Sequence, residues 1–523
     1  MAALIFLGIF TISIKIYAQG AYQDELHQIQ DGMFLLGAET RGALQINGIP
    51  ILSMPYSSAL KGILYGLLLK FFLGNFSIVS VRFFGISIYF ASIISFNFLT
   101  RGILTSRSLL LFNLLLLTDA TLALCVRNDW GPVSVSAAAR LVFIAILIKL
   151  SKNEKEKSLF FALGLIYGFS VYEKLNNFVL LLPILLFFYL FKTKDVKAYF
   201  LMCFGASLGA APLFVANIFS YVKQNNFISL QTVAQKQYSL KEFLILLKVY
   251  FFDGYSQVSS FIFGESFSYN FSGFMILSFF ILSYFYYFTY KSHDKKMFIS
   301  KRIFYIFSTT YFLTPVLLYI LPAPIWVHHL MIGTPFQYIA IAFFSDRIKI
   351  IPKIIFRKII CIVLFLLCLL NIITYGDFIL NTYRAKASLS WTPSFNKLSD
   401  FVKYNSIDAF YVCTTWGVEW NIYCSSPGQK NSMETFWNYS KIDFLKSINQ
   451  KKYIYLIKLK IIKDSTTSGS TSLNNFNQVR ADLENSSDWA LEPLEIHLAE
   501  LYDFTILKYS NRNVSLNCPP PLK

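Results

Sequence analysis

Long apolar runs separated by short basic segments make up most of this chain. Runs such as Phe178–Phe191 and Ile359–Ile373 approach the roughly 20 apolar residues that cross a bilayer as a helix. Only 15% of the 523 residues are charged, whereas soluble globular domains carry about 25%. The sequence therefore predicts a polytopic membrane protein. This excludes a secreted enzyme, a cytosolic enzyme and a nucleic-acid-binding module.

The charges divide the chain into two predicted domains. Residues 1–376 carry 31 Lys and Arg against 15 Asp and Glu, whereas residues 377–523 carry 16 against 14. The formal charge of +18 thus belongs mainly to the apolar part, where it reports orientation. We predict a transmembrane domain over 1–376 and a soluble, exported domain over 377–523.

The basic loops set the predicted topology. Five segments together hold 19 Lys and Arg and are placed in the cytoplasm: Arg101–Arg107, Lys149–Lys157, Lys192–Lys197, Lys291–Arg302 and Arg347–Lys358. About eleven spans follow: 2–18, 78–100, 107–126, 133–150, 158–173, 177–191, 198–219, 271–290, 303–321, 330–345 and 359–376. The N-terminus is then cytoplasmic and the C-terminal domain periplasmic, with outer loops that include 19–77 and 220–270.

One apolar segment in the first outer loop conflicts with simple hydropathy. If Ser58–Leu73 crossed the membrane, every later basic loop would face outward. The charge rule instead predicts an interfacial or re-entrant juxtamembrane helix. Lys61 and Lys70 are expected to snorkel to the interface.

The polar C-terminal domain has the pattern of an α/β fold. Strands are predicted at Ala409–Cys413, Tyr453–Leu459 and Phe504–Tyr509, and helices at Phe395–Tyr404, Lys441–Asn449 and Leu473–Glu484. Asp464–Ser472 has the composition of a flexible loop. Cys413 and Cys424 either pair across a turn between strands or stay free, since oxidation is permitted in an exported domain.

Two adjacent acids, Asp24 and Glu25, lie where the chain leaves its first span. Carboxylates at a water–lipid boundary can activate a hydroxyl or hold a divalent cation. The alternative is that they simply form the solvated first turn of an interfacial helix, where a negative charge is favourable.

Four motifs in order resemble the GT-C membrane glycosyltransferases, specifically the glycosyltransferase 39-like group of aminoarabinose transferases and protein O-mannosyltransferases. They are the Asp-Glu pair with its following apolar segment and Ser-x-x-Ser-Val-Arg, the run Arg127–Pro132 (RNDWGP), Gly164–Asn176 (GLIYGFSVYEKLN) and Trp326–Pro335 (WVHHLMIGTP). The resemblance covers about residues 1–345 and implies a helical GT-C-like fold with an exported domain. It also implies transfer of a sugar from a polyprenyl-phosphate carrier to an acceptor on the outer side.

The resemblance assigns roles to seven residues, each with a plainer alternative. It implies Asp24 as the base, with Glu25 as helper or metal ligand, since some relatives use a divalent metal. It also implies substrate-binding roles for Asp129, Lys174, His328, His329 and Arg82. Asp129 is otherwise a helix cap, Lys174 an interfacial partner of Glu173, and Arg82 a headgroup contact. Two adjacent His residues do not share a helix face, so only one of them is expected to act.

Asp119 and Arg140 lie within predicted spans, where charged groups are costly and need partners. Arg140 is expected to pair with Asp119 or Asp129. In the loop 220–270, the apolar stretch Phe243–Phe263 is broken at Asp253-Gly254. It is either a mobile lid over an isoprenoid chain or a packed structural loop.

The sequence thus predicts an inverting, polyprenyl-phosphate-sugar-dependent glycosyltransferase of the cell envelope in a bacterial inner membrane. Its acceptor is a lipid, a glycan or a protein. A transporter or flippase for a lipid-linked saccharide is the alternative from another class. Transporters often carry internal repeats, and none is visible here. An inactive GT-C-like scaffold is the third candidate.

Overall fold

A computed structural model describes residues 2–131, 133–153, 156–193, 195–230, 239–267, 272–289, 295–321, 325–348, 351, 353–405, 408–429, 431–437, 439–448, 451–460, 467–493 and 503–512. Two compact units divide them. Unit 1 comprises 1–16, 42–60 and 82–386, and unit 2 comprises 17–41, 61–81 and 387–523. Each unit is therefore built from three separate stretches of chain. The predicted domains are defined by where the chain leaves the membrane, whereas the two units are defined by how compactly the chain folds, so the two divisions differ. The domain boundary at 376/377 stays a prediction.

In its described residues, unit 1 is helical apart from one small sheet. Its helices are α1 (Ala2–Ser13), most of α4 (Ile78–Thr100), α5 (Ser106–Leu117), α6 (Ala120–Arg127), α7 (Val133–Lys152), α8 (Lys157–Glu173), α9 (Leu181–Phe191), α10 (Val196–Gly209), α11 (Ala211–Gln224), α12 (Leu240–Lys248), α13 (Gly254–Phe263), α14 (Ser272–Thr289), α15 (Lys295–Ile320), α16 (Thr334–Ser345) and α17 (Ile354–Tyr383). Strands β1 (Leu44–Ile46), β2 (Ile49–Met54) and β3 (Ser57–Ser58) form an antiparallel sheet.

Four helices of the described chain are long and apolar enough to cross a membrane, namely Ile78–Thr100, Val133–Lys152, Ile299–Ile320 and Ile354–Tyr383. Two bent pairs raise this number to six if each pair is one span: α5 with α6, bent by 62°, and α10 with α11, bent by 59°. The mostly helical fold that the sequence predicts is confirmed. The figure of eleven spans and the sidedness of the loops stay predictions.

Glycines set the packing of α8 on α10. Carbon atoms added at Gly164 and Gly168 would overlap backbone atoms of Met202 and Ala206 on α10, and Gly205 on α10 likewise faces the backbone of Phe161. Small residues spaced by four allow two helices in a membrane to approach closely. The glycines of the Gly164–Asn176 motif therefore fix the position of the helix whose end carries Lys174.

Unit 2 contains a five-stranded sheet with the order β5-β4-β6-β8-β7. The strands are β4 (Ala409–Cys413), β5 (Ser432–Glu434), β6 (Tyr453–Leu459), β7 (Trp489–Glu492) and β8 (Phe504–Asn511). β4 pairs in parallel with β5 and β6, while β8 is antiparallel to β6 and β7. The helices are α2 (Gln23–His27), α3 (Leu60–Leu68, of which Leu60 belongs to unit 1), α18 (Ser394–Asn405), α19 (Val418–Ser425), α20 (Lys441–Ile448) and α21 (Thr467–Glu484).

The alternation of side chains along β4 builds a core on each face of this sheet. Tyr411 belongs to a buried cluster with residues of α18 and α19, whereas Phe410 and Val412 belong to one with residues of α20 and α21. Helices on both faces of a mixed sheet make this an α/β domain, as the sequence predicts.

The segment 58–73 forms α3 followed by a π-helical turn, Leu69–Leu73. Its apolar side chains Phe71 and Phe72 are exposed. Lys70 is exposed, but Lys61 is fully buried within unit 2, so the expectation that Lys61 snorkels to an interface is wrong. Gly32 explains the close packing here, because a carbon atom added to it would overlap the backbone of Gly62.

Two predictions in the C-terminal segment need correction. Cys424 lies on helix α19 rather than beside a strand, and of the two alternatives for Cys413 and Cys424 the structure has the second, since both are free, buried thiols. The predicted flexible loop 464–472 is helical from Thr467 onward, because α21 begins there. Residues 464–466 lie outside the described part of the chain.

Candidate functional site

A sharp turn after α6 places the RNDWGP motif. Asp129 and Gly131 both have left-handed backbones, with φ of 43° and 69°. The carboxylate of Asp129 is fully buried and accepts hydrogen bonds from Ser134 N at 3.2 Å and Ser134 Oγ at 2.7 Å. Asp129 therefore caps the first turn of α7. Arg127, also fully buried, donates to the carbonyl oxygens of Ile12 and Lys15, at 2.5 and 2.6 Å, and so ties this turn to the end of α1.

Lys174 follows α8 in an extended conformation and bridges to Ser57 of strand β3. Its Nζ lies 3.5 Å from Nε2 of His328, and both side chains are buried. A carbon atom added at Gly131 would lie 3.6 Å from each of these nitrogens. Residues from three of the four sequence motifs therefore meet in unit 1. We call Lys174, His328 and Gly131 the cation cluster.

The two histidines have different surroundings. His329 Nδ1 accepts a hydrogen bond from Trp326 N at 3.1 Å, which closes the short helix 327–332. His328 faces Lys174 instead, and burial first, then His329 and Lys174, hold the pKa of His328 well below its ordinary value. His328 is therefore a neutral imidazole at pH 7. Its Nδ1 has no hydrogen-bond partner among the described residues.

Asn128 adds a second uncommitted polar group at the same turn. Its side chain is fully buried, and neither Oδ1 nor Nδ2 has a partner in the described part of the chain. A buried amide without hydrogen bonds is costly. Asn128 is visible in the sequence as a polar neighbour of Asp129 within the RNDWGP motif, but the motif resemblance assigned a role only to Asp129.

An apolar groove begins beside the cation cluster. Trp130 packs on His328 with ring centroids 4.7 Å apart and stacks on Phe261 of α13 at 4.5 Å. Trp130 and Phe261 also line a cavity of about 520 Å³ whose other walls come from α12, α13, Tyr319 and the segment 325–330. Part of the apolar stretch 243–263 thus forms one wall of this groove, and Trp130, on another wall, contacts His328.

The remaining charged candidates of unit 1 lie elsewhere. Arg82 is fully buried and donates from Nη1 to the Ile16 carbonyl oxygen at 2.7 Å. Arg140 donates to Ser136 Oγ at 2.8 Å and to Asn177 Oδ1 at 3.1 Å, so the expected pairing with Asp119 or Asp129 is wrong.

Asp119 lies at the bend between α5 and α6. Its Oδ1 accepts from Leu122 N, and its Oδ2 accepts from the hydroxyl of Tyr338, both at 2.9 Å. Asn371 in turn donates to that hydroxyl at 3.3 Å. These groups line a polar cavity of about 70 Å³, and the hydrogen bonds account for an acid inside a predicted span.

The Asp24–Glu25 pair belongs to unit 2, on the short helix α2. Glu25 is fully buried, and its Oε2 accepts from Tyr22 N at 3.1 Å, so it caps its own helix. Asp24 is partly exposed. Among the described residues, no group of three or more His, Cys, Asp and Glu side chains could hold a metal ion. These donors therefore do not fit a metal site at Asp24 and Glu25.

Comparison with solved structures identifies the fold. ArnT from Cupriavidus metallidurans, an aminoarabinose transferase, superposes in its apo form with a TM-score of 0.58, covering 98% of each chain at 10% sequence identity. This chain has the fold of ArnT. The ArnT structure bound to undecaprenyl phosphate gives 0.56 at 10% identity and covers 97% of each chain. The oligosaccharyltransferase AglB from Archaeoglobus fulgidus gives 0.49 at 10% identity, over 99% of this chain and 75% of AglB.

No family model matches the sequence, and no curated protein matches it. The resemblance to GT-C enzymes drawn from the motifs is confirmed at the level of the fold.

Proposed function

We propose that this chain is an inverting glycosyltransferase that takes a sugar from a polyprenyl-phosphate carrier. The observation that carries this proposal is the cavity of about 520 Å³ lined by Trp130, whose indole packs on the imidazole of His328 beside the buried ammonium of Lys174. A polyprenyl phosphate is complementary to both features, because its isoprenoid chain is apolar like the cavity walls and its phosphate is an anion that pairs with an ammonium. The neighbouring ArnT is known in a complex with undecaprenyl phosphate.

In this mechanism Lys174 stabilises the charge that develops on the leaving phosphate. The leaving group is already a phosphate, so a fixed positive charge serves it better than a proton donor. His328 is neutral and adds one N–H donor without repelling Lys174, and the Asn128 amide offers further hydrogen bonds to phosphate or sugar oxygens.

The motif resemblance supplies the general base of this proposal, Asp24 of unit 2. A base in this role removes the proton from the acceptor hydroxyl as that oxygen attacks the anomeric carbon from the face opposite the leaving phosphate. The bond between that carbon and the phosphate oxygen breaks, and its electron pair leaves with polyprenyl phosphate. The configuration at the sugar is therefore inverted. Glu25 orients α2 through its bond to Tyr22, and no step is assigned to a metal.

The proposal places the protein in a bacterial inner membrane, with the N-terminus in the cytoplasm and the C-terminal domain in the periplasm. The acceptor is a lipid, a glycan or a protein of the cell envelope. Asp129, His329 and Arg82 make the contacts described above, and the substrate-binding roles that the resemblance implies for them stay predictions.

The test is release of polyprenyl phosphate from a labelled polyprenyl-phosphate sugar by the purified protein in lipid nanodiscs. We expect Asp24→Asn to lower release by about 10²–10⁴-fold, the usual contribution of a positioned base. Asp400→Asn is the control, because Asp400 is a carboxylate of the same unit with 68% of its side chain exposed. Equal release by wild type and Asp24→Asn would remove Asp24 as the base. No release from folded wild type with any donor sugar would favour a transporter or a scaffold.

A further inference from the structure

Unit 2 presents three tryptophans in one place, and no step of the proposed reaction uses them. Trp416 and Trp437 are exposed by 38% and 69%, and their ring centroids lie 6.1 Å apart. Trp420 on α19 lies 6.4 Å from Trp416. We call Trp416, Trp420 and Trp437 the tryptophan platform.

The sheet fixes this platform. Trp416 follows the C-terminal end of β4 and Trp437 that of β5, and these two strands pair in parallel. Gly417 has a left-handed backbone with φ of 82°, and its N–H donates to Oε2 of Glu434 at 2.7 Å. The turn after β4 is thereby held to the end of β5, so the two exposed indoles keep their spacing.

The platform lies beside the helix that carries Asp24. The imidazole of His27 packs on Trp420 with ring centroids 4.1 Å apart, and a carbon atom added at Gly417 would overlap the side chain of Gln23. Asp24 and His27 are three residues apart, so they share one face of α2. Asp24 is therefore within one helical turn of a residue that touches the platform. All of these contacts are internal to unit 2.

We propose that the tryptophan platform binds a sugar ring of a saccharide acceptor. The C–H face of a pyranose is apolar and weakly positive, and it stacks on the negative face of an indole. Hydroxyl groups at the ring edge need hydrogen-bonding partners, and the side chains of Glu434, Gln23 and His27 supply carboxyl, amide and imidazole groups around the indoles. That this saccharide is the acceptor rests on the proposed function, in which the base Asp24 belongs to the same unit as the platform.

A membrane interface is the competing occupant, since tryptophans are enriched there. The polar groups that border the platform favour a hydroxyl-rich ligand over acyl chains. Titration with glycosides and quenching by brominated lipid distinguish a saccharide from a membrane interface.

The experiment measures tryptophan fluorescence of the full-length protein in nanodiscs during titration with methyl glycosides of glucose, galactose, mannose, N-acetylglucosamine and xylose. We expect saturable quenching by at least one glycoside, weakened roughly tenfold by Trp437→Ala and largely restored by Trp437→Phe. Tyr404→Ala is the matched control, because Tyr404 is an aromatic residue of unit 2 with 88% exposure. We expect it to bind like the wild type.

Three outcomes would overturn the proposal: no saturable quenching with any glycoside, equal affinity in wild type and Trp437→Ala, or quenching of Trp437 by brominated lipid with no effect of glycosides. Failure of the proposed function is a separate result. Glycoside binding that depends on Trp437, in a protein that releases no polyprenyl phosphate, would retain a saccharide site and reject the transferase mechanism.

Discussion

Lys174 in unit 1 and Arg41 in unit 2 are both cationic side chains largely shielded from solvent, but different groups surround them. Arg41 makes two hydrogen bonds to the carboxylate of Glu419, at 2.5 and 2.8 Å, and Ser432 donates a third at 2.6 Å. Lys174 instead holds its ammonium 3.5 Å from the imidazole of His328, which in turn packs on Trp130 of the apolar groove.

On the proposed function, this difference distinguishes a cation that stabilises the fold from one that contacts the carrier phosphate. Two charged partners with complementary geometry satisfy each other and leave nothing for a ligand. By contrast, Nδ1 of His328 in the cation cluster and the amide of Asn128, in the same turn as Gly131, have no hydrogen-bond partner among the described residues. The comparison predicts that mutations at Lys174 affect catalysis and that mutations at Arg41 affect folding.

Within this comparison, the largest expected effect is that of Lys174→Met. Loss of one group that stabilises developing charge typically costs about 10²–10³-fold in rate, so we expect release of polyprenyl phosphate to fall by that factor. The melting temperature should stay near that of the wild type. Lys223→Met on α11, where the lysine is exposed, is the matched control and should keep full activity. An active Lys174→Met would place the carrier phosphate elsewhere.

Arg41→Met should instead lower the free energy of unfolding. It leaves the Glu419 carboxylate, with only 3% of its side chain exposed, without its cation, and we expect a destabilisation of about 3 kcal/mol. Limited proteolysis and thermal melting of the C-terminal domain measure it. Adding Glu419→Gln should recover part of the loss. Lys403→Met, which removes a solvent-exposed pair with Asp400, should change stability by less than about 1 kcal/mol. Equal melting of Arg41→Met and wild type would contradict the structural role.

The fold was more predictable than the site because its signals are local. The strands Ala409–Cys413 and Tyr453–Leu459 have the predicted bounds, since short apolar runs between turn residues are visible in the sequence. Strands β5 and β7 have only three and four residues and give no such signal. The packing of 17–41 and 61–81 with 387–523 in one unit depends on contacts across hundreds of residues, which a single sequence does not reveal.

For the site, residue types could be named but not their neighbours. Lys174 and His328 were each candidates from their own predicted outer loop, while their separation of 3.5 Å depends on the packing of several helices. The fixed roles of Glu25 and His329, as caps of their own helices, likewise require the backbone geometry. The sequence does not indicate the tryptophan platform, because 18% of the residues are aromatic and only the fold brings Trp416, Trp420 and Trp437 together.

A smaller effect is expected from pH on unit 2. Burial raises the pKa of Glu434 from 4.5 to about 7, with Glu419 raising it further and the Gly417 N–H and Arg41 opposing. The folded state therefore binds this proton more tightly than the unfolded state. Its contribution to stability is complete below about pH 4.5 and is lost as the pH rises through 7, with a slope of at most about 1.4 kcal/mol per pH unit. Glu434→Gln should reduce the fall in melting temperature over this range, and an unchanged pH profile would contradict the assignment.

The smallest expected effect is that of a reducing agent, and it tests whether unit 2 is held by packing alone. Cys413 ends strand β4 and belongs to the core cluster of Tyr411 and Val418, while Cys424 lies on α19, and both are free and buried. Burial raises the pKa of both thiols above the ordinary value, so the reactive thiolate is scarce. We expect dithiothreitol to leave the melting temperature unchanged. Alkylation under native conditions should be slow, and alkylation after unfolding should label both residues in peptide mapping. A linked peptide pair containing Cys413 and Cys424 would instead show that a covalent bond adds to the stability that the α/β core is argued to supply by itself.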